Sequence, residues 1–130
     1  TYEYAIYPHM GEWDEGRVLQ AAYDFKVAIN AIKGVTKGGV LPVSGSLIKV
    51  NHDDKVMFSA IKQAENGEGT TIRMWNTSGE KLDLEVSTIL PVNSVTEVKM
   101  DESFIRDVEF KDGKFSVEMG PHKILTFILK

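Results

Sequence analysis

The feature that most constrains this chain is a series of short segments with a two-residue apolar period, running from residue 46 to the end. Leu82, Leu84 and Val86 alternate with Asp83, Glu85 and Ser87. That pattern puts three apolar side chains on one face of a strand and three polar ones on the other. Residues 46–50, 70–76 and 124–129 read as further strands, and 95–100 has a weaker pattern. Residues 56–64 are apolar on both faces, which predicts a central strand. Turn formers separate the segments. Asn51-His52-Asp53-Asp54, Thr77-Ser78-Gly79-Glu80 and Gly120-Pro121-His122 are turns, and Asn66-Gly67 suits a hairpin loop with positive φ. Residues 108–110 and 115–119 read as the arms of a hairpin about Asp112-Gly113. Residues 2–7 also alternate and are rich in β-formers, so a strand is expected there, ended by Pro8.

One segment has a different period. Val18, Ala22, Phe25, Ile29 and Ile32 step by four, three, four and three residues, which makes one stripe on a helix. Asp14 is the expected N-cap, and Lys33-Gly34 the expected C-terminal signal. The spacing therefore predicts a helix over about 15–33, followed by a loop at Gly38-Gly39-Val40-Leu41-Pro42. The expected fold is mainly β: an antiparallel β-sandwich of about eight or nine short strands with one α-helix packed on it, in a single domain over 1–130.

Composition removes several classes of function. The 130 residues are 42% hydrophobic, enough for a core that removes roughly two-thirds of the unfolded surface from water. No apolar run approaches the ~20 residues of a membrane helix, so no membrane partner is expected. A formal charge of −4 argues against a nucleic-acid partner, which calls for a basic face. There is no cysteine, which excludes disulfides, thiolate zinc sites and cysteine catalysis and fits a cytoplasmic location. The chain opens without Met on an apparent strand, and we expect a C-terminal fragment of a longer protein.

Few residues invite chemistry. His9, His52 and His122 all fall in expected turns. His52-x-Asp54 has the form of a zinc-chelating pair, but its residues also suit the turn in which they stand. Glu12 and Asp14 flank Trp13, and paired carboxylates can cleave glycosides. Acidic residues at a helix start are also ordinary capping chemistry. No nucleophile elbow, phosphate loop or dinucleotide fingerprint occurs. Asn76-Thr77-Ser78 matches a glycosylation sequon within a turn. Trp13, in a loop, and Trp75, in a strand, are of a type that stacks on sugar rings, although a strand tryptophan is more often core or interface.

Two segments carry a resemblance. Tyr4-Ala5-Ile6-Tyr7-Pro8-His9-Met10-Gly11-Glu12-Trp13 resembles a Tyr-Ala-Leu/Ile-Tyr-Pro-His-x-Gly-x-Trp stretch towards the C-terminal end of glycoside hydrolase family 38, the α-mannosidases. The run from Ser59 to Gly67, followed by Ile72-Arg73-Met74-Trp75-Asn76-Thr77-Ser78-Gly79-Glu80, resembles a second stretch. That stretch reads Ser-Ala-x-Lys-x-Ala-Glu-Asp-Gly, then Leu-Arg-x-Tyr/Phe-Asn-x-Ser-Gly-Glu. Trp75 stands where Tyr or Phe is commoner, and residues 101–107 match loosely. The closing strand also fits, so the resemblance spans nearly the whole chain.

The resemblance implies that the catalytic machinery lies elsewhere. In the family, a zinc ion and an Asp nucleophile of a retaining mechanism belong to an N-terminal α/β domain. One pair of zinc ligands there lies in a His-x-Asp-x-x-Trp motif. His52-x-Asp54 does not reproduce it, because Met57 stands at the Trp position. The resemblance thus implies a non-catalytic C-terminal β-domain with no cofactor of its own, inactive alone. Zinc is expected in the catalytic domain of the parent enzyme. The implied partners are that N-terminal catalytic domain and, through the parent, mannose-containing carbohydrate; the parent is expected to be a homo-oligomer. His9, Glu12, Trp13, Arg73 and Trp75 are the candidates for the domain interface or the border of the sugar cleft. The alternative from another class is a free-standing carbohydrate-binding β-sandwich with Trp13 and Trp75 as stacking platforms.

Overall fold

A computed structural model describes residues 2–34, 38–39 and 43–130. The loop expected at 38–42 falls partly outside these residues. The chain divides into two compact units, Thr1–Gly45 and Ser46–Lys130.

Among the described residues, the second unit holds all eight strands: β1 (Ile48–Val50), β2 (Val56–Gln63), β3 (Thr70–Asn76), β4 (Leu82–Thr88), β5 (Val95–Val98), β6 (Phe104–Val108), β7 (Lys114–Met119) and β8 (Ile124–Leu129). They form two antiparallel sheets, β1-β4-β7 and β2-β3-β8-β5-β6. The alternation of β4 buries Leu82, Leu84 and Val86, and β7 buries Phe115, Val117 and Met119. These pack with Ile72 and Met74 of β3 and Leu125, Phe127 and Leu129 of β8 in one core cluster. The Phe115 and Phe127 rings meet at 5.0 Å between centroids, which ties the sheets across the core. This is the expected β-sandwich.

Three strand expectations need correction. Residues 56–64 do not make a central strand: β2 is at the edge of its sheet, and the middle strand is β8. A bulge at Ser59 breaks the β2–β3 register and leaves Ile61 exposed. Which strand is central depends on long-range pairing, and β8 is held on both sides by β3 and β5. The expected hairpin about Asp112-Gly113 is a crossing between sheets. Its turn forms, with positive φ at both residues and a Lys111–Lys114 bridge. Yet β6 pairs with β5 in one sheet and β7 with β4 in the other. Residues 2–7 form no strand and make no backbone hydrogen bond among the described residues. A strand needs a ladder partner, and alternation alone supplies none.

The first unit contains α1 (Val18–Lys26), shorter at both ends than the expected 15–33. Asp14 is not the N-cap. Residues 12–17 instead coil into a turn, with the Gly16 N–H on the Glu12 carbonyl and the Val18 N–H on the Trp13 carbonyl. Arg17 occupies the N-cap position in the left-handed region without a side-chain cap. Val27 is extended and ends the helix. Ile29 and Ile32 are almost wholly exposed. A short helix depends on burial of its apolar face, and the C-terminal half of this stripe has none.

Candidate functional site

The loop from His9 to Trp13 is shaped by two glycines. Gly11 has φ +72, and a Cβ there would lie 2.1 Å from Glu15 Oε2. That carboxylate accepts the Glu12 N–H at 3.1 Å. A Cβ on Gly16 would lie 2.5 Å from His9 Nδ1, so only glycine lets the imidazole rest on the turn. The same ring stacks beside Tyr7. Glu12 serves the turn through its backbone, while Trp13 is 43% exposed. Next to the loop is a cleft of about 830 Å³, bounded by Ala5, Tyr7 and His9 on one side and Val18, Ala22 and Phe25 of α1 on the other.

Arg73 and Trp75 belong to the second unit. They lie two residues apart on β3, on the face away from the buried Ile72 and Met74. Arg73 Nε donates to Thr126 Oγ1 at 3.1 Å, and Nη2 donates to the Met100 carbonyl at 2.8 Å. The guanidinium therefore joins β3 to β8 and to the loop after β5. Trp75 is half-buried, with Met57 of β2 and Ile124 of β8 as its cross-strand neighbours.

Two residues with structural roles were not among the candidates for the domain interface or the sugar cleft. Glu102 sits at φ 64 in the loop between β5 and β6, its side chain only 7% exposed. Its carboxylate accepts from Lys62 Nζ at 2.8 Å, from the Glu65 N–H at 2.7 Å and from Thr71 Oγ1 at 3.0 Å. These donors, Lys62 foremost, hold Glu102 below the usual carboxylate range, and Glu102 in turn raises Lys62. Its partners lie 31 to 40 positions away in the chain, so no local pattern marks Glu102.

Asn76 is wholly buried. Its Nδ2 donates to the Glu80 and Gly120 carbonyls at 2.7 and 2.9 Å. Its Oδ1 accepts from the Ser78 N–H and hydroxyl at 2.9 and 2.8 Å. All four hydrogen-bonding positions of the amide are filled, so the sequon asparagine is an internal brace of the turn after β3. His52 and His122 lie in turns that donate or accept through the backbone. Among the described residues, no three His, Asp or Glu side chains converge to hold a metal ion, and no helix is long and apolar enough to cross a membrane.

Residues 55–127 match the family model of the glycosyl hydrolases family 38 C-terminal beta sandwich domain. The match begins one residue before β2 and ends inside β8, and it covers more than half of the chain. The chain belongs to that family. It is also similar to alpha-mannosidase 2C1 of Mus musculus, at 25% identity over 98% of the chain and 12% of the relative. The Homo sapiens alpha-mannosidase 2C1 is 23% identical over the same shares. The chain thus spans about 12% of the length of the curated relatives it matches.

Proposed function

We propose that this chain is the non-catalytic C-terminal β-sandwich of an α-mannosidase-like glycoside hydrolase. In this reading it packs against the catalytic domain of the same protein, which holds the zinc and the nucleophile. The observation that carries the reading is the family match over β2 to β8, joined to similarity with alpha-mannosidases over 98% of the chain. The described residues support a structural role. Their polar clusters are engaged internally, as at Glu102, Arg73 and Asn76. Apolar side chains of the first unit that are almost wholly exposed, among them Tyr2, Tyr4, Ile6, Met10, Ile29 and Ile32, suit a docking surface. His9, Glu12 and Trp13 then lie where the interface meets the sugar cleft. The cysteine-free composition supports a cytoplasmic setting.

The test is reconstitution. The chain is mixed with the separately produced remainder of the longer protein, and complex formation and hydrolysis of an aryl α-mannoside are followed. The expected result is a stable complex, activity that depends on the remainder, and none from the chain alone. Hydrolysis by the pure chain, or failure of the two parts to associate, overturns the reading. A tryptophan fluorescence change on adding mannosides to the chain alone would favour the carbohydrate-binding alternative.

A further inference from the structure

We propose that residues 2–7 become a β-strand in the longer protein, added to an open sheet edge in the sequence that precedes them there. The proposal rests on the reading above, in which this chain is part of a longer enzyme, and specifies how one segment joins it.

The segment is exposed along its whole length. Glu3, Ala5, Ile6 and Tyr7 line the cleft beside α1. Tyr2, Tyr4 and Ile6 are 99%, 88% and 89% exposed. These three recur at every second residue, a spacing that fits one face of a pleated strand. The backbone agrees with the side chains: among the described residues, none of the N–H or C=O groups of residues 2–8 has a backbone partner. α1 is equally incomplete, for none of its residues is buried. Segment and helix together resemble one side of a layered domain, a strand with a helix over it, from which the neighbouring strands are missing.

A sheet edge answers these deficits together. It offers backbone groups to the open ladder and a continuous apolar face to Tyr2, Tyr4 and Ile6. The occupant is placed within the same polypeptide because the relatives are far longer than this chain, which covers 12% of each. A second copy of this chain is the competing occupant.

Hydrogen exchange on the longer protein and on this chain alone tests the idea. In the longer protein, a peptide spanning residues 2–8 should exchange roughly tenfold or more slowly than in the isolated chain. Ile6→Asp in the longer protein should restore fast exchange in that peptide and leave β3 protected. The wild-type comparison stands even if this variant fails to fold. Equal exchange of residues 2–8 in both proteins overturns the proposal. Protection confined to β-sandwich peptides such as 104–108 overturns the strand and leaves the docking reading intact. No protection anywhere removes both. Slow exchange at 2–8 in a concentration-dependent dimer of the isolated chain assigns the edge to a second copy and also overturns the proposal.

Discussion

Single side chains in this protein act mostly by closing turns. Asn76 joins two carbonyls from separate turns and holds Ser78. Asn76→Ala leaves those buried groups without partners, and an unmade buried hydrogen bond costs about 1–3 kcal/mol. We expect the unfolding free energy from urea titration to fall by that amount, seen as a lower midpoint with an unchanged m-value. Glu102 has a pH signature. Its folded pKa is depressed, so its contribution is complete above the unfolded value of about 4.3 and is lost as pH falls through the folded value. Thermal melting should show the wild type losing its advantage over Glu102→Gln below about pH 4. A constant difference between the two proteins down to pH 2 would refute that assignment. The Asn-x-Ser-Gly-Glu pattern exposed Asn76 to notice in the sequence, but as a sequon. Its burial follows from Gly120, 44 positions away.

At the scale of elements, the register of the β-sandwich rests on close backbone approaches. Gly69, at the end of the β2–β3 hairpin, has φ +96, and a Cβ there would lie 2.3 Å from the Leu129 carbonyl of β8. Gly69→Ala must shift β3 from β8 or strain the turn, and we expect a loss of about 1–3 kcal/mol, read as a lower melting temperature. Phe127→Ala in the middle strand β8 should cost about 3–5 kcal/mol, because it removes a fully buried ring that meets Phe115 across the sheets. Most strands were legible: β3 and β8 fall where their patterns place them, and β4 shows the alternation on which the reading began. β6 was not recognised, since its side chains are mostly exposed and leave no periodic mark. The helix was overextended because its stripe continues through Ile29 and Ile32, although nothing buries them.

At the scale of the whole chain, burial is uneven. Among the described residues, every side chain of the hydrophobic core belongs to the second unit, and α1 buries none. Elements with little burial open at low free energy. Limited proteolysis should therefore cut first within residues 2–34 and leave a resistant product close to 46–130. Survival of the intact chain under conditions that cut a flexible control would contradict this. Among the candidate residues, the sequence grouped His9, Glu12 and Trp13 correctly as one loop, because they stand within five consecutive residues that contain Gly11. Arg73 and Trp75 share a face of β3 in the structure, as the two-residue period of a strand requires. That Arg73 would reach Met100 and Thr126 was invisible, since no local pattern encodes a neighbour from another strand.

What the sequence determined by itself was the class of fold, most strand positions, the turns and the family resemblance. These depend on local period, local turn chemistry and motifs read in order. Tertiary structure decided which strand is central, which sheet each strand joins, where the helix stops and which polar side chains are buried. Each of those outcomes depends on contacts between residues far apart in the chain. The free energy of a ladder or a buried amide belongs to both partners, and one segment read alone contains only half of it.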